Sequence, residues 1–136
     1  MKIFFDENFS PFLAEGFSSF QKGRKEEDIE VLHIATYFGR GVKDEEWISK
    51  VAQMHGTAIT QDTNIRRTQV LHELCSKNNI RLFFFKSPKK TPYKYWELIK
   101  NILKHWEYIK EYSKNTDNPF SFIIKPKSLK PERLTM

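Results

Sequence analysis

Lys2-Ile3-Phe4-Phe5-Asp6-Glu7-Asn8-Phe9-Ser10-Pro11 is the stretch on which the fold turns. Residues 2–5 are apolar and β-forming and stop at a polar cluster, the pattern of a short buried strand. Ser10 stands as a helix cap, with Pro11 at the first helical position, where a missing N–H leaves no bond unmade. An acid therefore lies between a buried strand and the helix after it. Asp44 and Asp62 stand in comparable places further along the chain.

Working outward, Phe12, Leu13, Phe17 and Phe20 predict one buried face on this first helix, and residues 21–28 a polar loop. Ile29 to Ile34 reads as a second strand, with Gly39 and Gly41 bracketing a turn beyond it. Asp44 opens the next helix. Glu45 and Glu46 lie in its first turn, Trp47, Ile48, Val51, Ala52 and His55 recur at helical spacing, and Gly56 ends it. Thr57 to Thr60 is a third short strand that runs into Gln61-Asp62-Thr63-Asn64.

A helix over 67–77 turns Val70, Leu71 and Leu74 inward, and Ile80 to Phe85 forms the most hydrophobic strand. After a Pro/Lys loop, a long helix over 92–112 buries Trp96, Ile99, Leu103, Trp106 and Ile109 and shows Lys94, Lys100, Lys104 and Lys110 to solvent. Residues 120–125 suit a closing strand. Strands alternating with helices give an α/β fold, a mostly parallel sheet with helices on both faces. The expected organisation is one domain over 1–125 and a basic, flexible tail over 126–136.

At 136 residues and 16.3 kDa the chain has room for one core. A single cysteine excludes a disulfide framework and a four-thiolate zinc site. No stretch approaches the roughly 18 apolar residues of a membrane span. Ile3-Phe4-Phe5 is cut short by Asp6 and Glu7, so no signal peptide is expected and a cytoplasmic location is. The net charge of +6 is unevenly placed: residues 86–136 hold 12 Lys/Arg against 5 Asp/Glu, and residues 1–85 hold 11 against 12. Such a basic part attracts polyanions, nucleic acid first, although it also suits a merely solvated face.

Asp6 follows the first strand and Asp62 the third, while Asp44 heads a helix beyond the second. Parallel strands end on one edge, and the helices that return from it begin there, so the three acids should converge. Like charges about 4 Å apart repel by on the order of 4 kcal/mol at an effective dielectric near 20. Clustered carboxylates therefore take up protons or bind a cation. Mg²⁺ or Mn²⁺, hard ions with oxygen ligands, fit that need and support phosphodiester hydrolysis.

Each acid also has a structural reading: Asp44 as an N-cap, Asp62 as the start of an Asx-turn. Asp6 resists that reading, because an acid directly after an apolar strand must be paired or bound. Glu7 is expected to point away from Asp6. Arg66 and Arg67 follow the Asp62 loop and are placed to hold a phosphate. His72 and Cys75 share a helix but lack a second pair of zinc ligands, and Gly39-x-Gly41 lacks the third glycine of a dinucleotide loop.

The opening ten residues, the Asp44-Glu45-Glu46-Trp47-Ile48 helix start and the Ile59-Thr60-Gln61-Asp62 strand end resemble the compact PIN-like domains, including the VapC-type toxins. The resemblance covers about residues 1–85 in order and spacing. It implies a metal-dependent endoribonuclease on a three-layer α/β/α fold, often the toxin of a toxin–antitoxin pair. By position, Asp6, Asp44 and Asp62 match its acidic metal ligands. Thr60 matches the hydroxyl that orients the first aspartate, and Asn8 the small polar residue beside it. Relatives often carry another acid where this chain has Asn64, a gap that Glu45 or Glu46 would fill.

Three functions follow as alternatives. The first is a ribonuclease with Mg²⁺ or Mn²⁺ on the three aspartates, RNA held by Arg66, Arg67, Lys94, Lys100 and Lys104, and an antitoxin or a second copy as protein partner. The second is a receiver-like phospho-switch on Asp62, against which stand the missing Met-Pro and Gly turn and the basic charge. The third is a non-catalytic module binding RNA or protein, consistent with basic and aromatic positions such as Tyr93 and Tyr95.

Overall fold

The computed structural model describes residues 1–62, 64–88, 90–115 and 120–135, with the backbone alone at Asp62. Strands β1 (Lys2–Phe5), β2 (Glu30–His33), β3 (Thr57–Asp62), β4 (Arg81–Lys86) and β5 (Ser121–Ile124) lie parallel in the order β2-β1-β3-β4-β5. Five helices connect or flank them: α1 (Pro11–Lys22), α2 (Ile34–Phe38), α3 (Asp44–Gln53), α4 (Ile65–Asn78) and α5 (Tyr95–Asn115). No helix among the described residues is long and apolar enough to cross a membrane.

Period-two alternation sorts the strand side chains between two cores. Ile3, Phe5, Ile59, Phe83 and Phe85 pack with Leu13 and Phe17 of α1 and Ile102, Trp106 and Ile109 of α5. Phe4, Ala58, Leu82 and Phe84 pack with Trp47, Ile48 and Val51 of α3 and Leu71 and Cys75 of α4. Because both faces are covered, the strands read as continuous apolar runs. The result is the three-layer α/β/α architecture, with the starts of α1, α3, α4 and α5 at the carboxyl edge of the sheet.

Helix faces depart from the apolar stripes read in the sequence. In α1 the buried residues are Leu13, Ala14, Phe17 and Gln21, whereas Phe12 and Phe20 are 76% and 64% exposed. Gln21 is held inside by bonds: its amide donates to Glu27 Oε1 (2.9 Å), and its carbonyl accepts from Trp106 Nε1 (3.1 Å). In α5 the inward stripe is rotated to Leu98, Asn101, Ile102, His105, Trp106 and Ile109, which leaves Trp96 76% and Leu103 48% exposed. Lys110, expected outward, is buried and ion-paired to Glu27 (2.7 Å) and Glu107 (2.8 Å). Val70 is exposed on α4, where Thr68, Leu71 and Cys75 are buried instead.

Two boundaries also differ. Ile34, read as the end of a strand, begins α2, which His33 caps by accepting from Ala35 N–H on Nδ1 (3.2 Å). Within the segment expected as a loose tail, Glu132–Arg133 form β6, antiparallel to β5.

The turn that follows α3 assigns its residues unexpectedly. His55, exposed, takes the left-handed conformation (φ 54°), whereas the buried Gly56 does not. Gly56 is needed for space: a Cβ there would lie 3.0 Å from Val51 Cγ1 and 3.3 Å from the Lys2 carbonyl oxygen. Gly56→Ala should cost about 1–3 kcal/mol in urea unfolding, as overpacking does. His105 offers a second check. It is fully buried, and burial, with Lys104 second, holds its pKa below the ordinary 6.5. The unfolded chain then binds the extra proton first, so stability is full above about pH 6.5 and falls as pH drops through it. His105→Leu should lose that portion of the acid sensitivity in denaturation series from pH 8 to pH 5.

Candidate active site

Asp6 extends the sheet by donating its N–H to the Ile59 carbonyl (3.0 Å), which puts its side chain on the α3/α4 face. The residue is only 2% exposed. A carboxylate so buried must be hydrogen-bonded, and three groups meet it. Glu7 N–H donates to Oδ1 (2.6 Å), and Thr60 Oγ1 donates to Oδ2 (2.6 Å). Arg67 Nη2 reaches the same Oδ2 at 2.8 Å. Thr60 is two residues beyond Ala58 on β3, so strand alternation aims it at the same face as Asp6.

Asp44 arrives from the other side. It is the first residue of α3, not its cap; Lys43 holds the cap position without a side-chain bond. The Asp44 Oδ1 atom accepts from the Trp47 indole N–H (2.9 Å) and lies 3.4 Å from Arg67 Nη2. One guanidinium nitrogen thus lies beside both aspartates, while Arg67 Nη1 donates to Thr60 Oγ1 (3.3 Å). Burial opposes the charge on Arg67. The field and hydrogen bond of Asp6, then those of Asp44, outweigh it and hold the guanidinium above its ordinary range.

The start of α4 explains why Arg67 points here. Asn64 caps that helix by accepting from Arg67 N–H (2.8 Å), which fixes the backbone from which the arginine reaches back over the sheet edge. Asn64, which stands where relatives often carry another acid, serves as that cap. Around the aspartates opens a polar cleft of about 380 Å³ lined by Asp6, Glu7, Asn8, Val42, Asp44, Trp47 and Arg67. Glu7, expected to point away, borders this cleft and accepts from Gly41 N–H (2.8 Å), closing the turn before α3.

The structure therefore brings together Asp6, Asp44, Thr60, Asn8 and Arg67. The Asp62 side chain lies outside the described residues. Glu45 and Glu46 are exposed, and Glu46 pairs with Lys50 along the helix (3.2 Å). Among the described residues no group of three His, Cys, Asp or Glu side chains is arranged to hold a metal ion. Arg66, Lys94, Lys100 and Lys104 are exposed and away from the aspartates' hydrogen bonds. His72 Nδ1 is 2.8 Å from Ser121 Oγ, and burial, with Asp44 second, pushes the Cys75 thiol up, so neither residue is poised for zinc or nucleophilic chemistry.

What the sequence reading missed is the inward turn of Arg67. Its only local signal was the position three residues after a capping asparagine, and that does not name the acids it meets.

Paired aspartates over a polar cleft at the carboxyl edge of a parallel sheet define an α/β protein with its site where such sheets bind ligands. More particularly, residues 1–87 match the family model described as a PIN-like domain, and the chain belongs to that family. PIN-like domains are in general nuclease-related. Neither a curated protein nor a solved structure matches the chain.

Thr60→Val keeps the shape of the side chain and removes its bond to Asp6. It should lower stability by about 1–3 kcal/mol in urea titrations, the cost of taking a partner from a buried polar group. Thr60→Ser should lose less.

Proposed function

We propose that the chain is a metal-dependent endoribonuclease and the toxin of a toxin–antitoxin pair. The observation that carries this reading is the convergence of Asp6 and Asp44 on one positive nitrogen, Arg67 Nη2, at 2.8 and 3.4 Å. A cation already lies between two carboxylates from separate elements, so the pair is a place where positive charge is stabilised. The donor set fits Mg²⁺ or Mn²⁺: two carboxylates, with Asp62 as the expected third, are hard oxygen ligands, and Mg²⁺ is commonly bound by one or two carboxylates plus substrate phosphates.

When bound, such an ion supplies Lewis acidity toward a phosphoryl oxygen and an acidified water. The remaining tasks belong to the chain. Thr60 fixes the rotamer of Asp6 through the 2.6 Å bond, and Trp47 fixes that of Asp44 through the 2.9 Å bond. Burial of Asp6 raises the strength of every charge interaction made there. RNA backbone would be held by Arg66, Lys94, Lys100 and Lys104. Exposed Tyr95 and Trp96, edge to face at 5.3 Å at the start of α5, offer π-faces to unpaired bases. The antitoxin assignment rests on the resemblance of the opening, Asp44 and Asp62 motifs to toxin-type PIN-like domains.

A second reading is a non-catalytic RNA-binding module, favoured by the same arginine, because Arg67 already compensates the acids without any ion. A cleavage assay on labelled RNA separates the two. With Mn²⁺ present, the ribonuclease reading expects cutting that chelator abolishes and that Asp6→Asn or Asp44→Asn lowers by at least about 100-fold, with circular dichroism unchanged. Cleavage by Asp6→Asn at the wild-type rate would overturn it. RNA binding without cleavage, indifferent to chelator, would establish the module instead.

A further inference from the structure

We infer that Arg67 is the resident counter-ion of the aspartate pair, that a divalent ion enters only as the guanidinium leaves, and that the freed guanidinium becomes the phosphate-binding group. This rests on the ribonuclease reading above and adds to it a coupling between metal and substrate.

The geometry makes the exclusion direct. Arg67 Nη2 contacts Asp6 Oδ2 at 2.8 Å and Asp44 Oδ1 at 3.4 Å, and Nη1 contacts Thr60 Oγ1 at 3.3 Å. An ion held between the same carboxylates takes oxygen ligands at roughly 2.0–2.1 Å. It would sit within a few ångströms of the guanidinium, where two positive charges repel strongly because the site is partly desolvated. Both cannot occupy the pair at once.

Departure is built into the side chain. The Arg67 backbone is pinned by the Asn64 cap, but its side chain is 28% exposed and borders the open cleft. The guanidinium can therefore swing toward solvent without moving α4. Once outside, it presents a planar fork beside the metal, the geometry that binds phosphate bidentately. Turned inward, that fork faces carboxylates and is closed to phosphate. Metal loading thus converts a half-neutralised pair into a metal site with an adjacent anion site. Linkage then requires RNA phosphate to tighten metal binding as much as metal tightens phosphate binding.

Calorimetric titration with Mn²⁺ alone tests the exclusion on wild-type chain, R67Q, R67K and the double variant D6N/D44N. R67Q should bind Mn²⁺ at least about 10-fold more tightly than wild type. Metal-free R67Q should melt below wild type, and Mn²⁺ should raise its Tm by more. R67K keeps a charge and should fall between, and it serves if R67Q folds poorly. The coupling is read from a fluorescent DNA oligonucleotide, whose integrity is checked on a gel after each titration. Mn²⁺ should strengthen its binding to wild type several-fold, and that increment should vanish in R67Q. Equal or weaker Mn²⁺ binding by R67Q overturns the proposal and leaves the metal site standing. A Mn²⁺ increment on oligonucleotide binding that survives in R67Q also overturns it. If neither wild type nor R67Q binds Mn²⁺ better than D6N/D44N, the metal-dependent reading itself fails and takes the proposal with it.

Discussion

A carboxylate buried at the end of the first strand constrains everything around it. Asp6 keeps 2% of its surface exposed, and a charge in that position is tolerable only if its oxygens are occupied. The groups that occupy them come from three places: the next residue, the middle strand, and the second residue after the start of α4. β1 must therefore lie beside β3, and α4 must begin at the same edge. The register agrees, pairing Phe5 with Ile59 and so bringing Thr60 level with Asp6. Tertiary structure here is what a single desolvated charge requires of its surroundings.

Most of the architecture was readable from residue patterns, because strands in a doubly covered sheet are continuous apolar runs and nothing else in the chain resembles them. Arg81–Lys86 is the clearest case. Helix faces were harder to read. Gln21, Asn101, His105 and Lys110 are all inside, so an apolar stripe drawn through α1 or α5 picks Phe12, Phe20, Trp96 and Leu103, which are exposed. Gln21 and Lys110 are admitted by partners on other elements, Trp106 and Glu27, and periodicity cannot foresee a partner 83 or 85 residues away. At the site, topology alone predicted the approach of Asp6 and Asp44. The Arg67 bridge was not legible, since arginines after a loop usually face solvent.

The charge map changes accordingly. Lys110, assigned to an outward basic face on α5, is spent on an internal pair, and Lys114, one turn further on, donates to the Glu27 carbonyl (3.2 Å). Both tie α5 to the segment after α1. What remains exposed is Lys94, just before the helix, and Lys100 and Lys104 in its first half, with exposed Tyr95 and Trp96 at its start. Cationic and aromatic surface is thereby concentrated toward the carboxyl edge of the sheet, the edge that carries the aspartates.

The span of the Asp6 contacts has one more consequence. Its partners Thr60 and Arg67 stand 54 and 61 residues later in the chain. While the protein is being synthesised, the first strand emerges long before either can reach it. A growing chain therefore carries no assembled centre until Arg67 has left the ribosome and packed. Whatever the cleft binds cannot be held during that interval, a delay set by sequence separation.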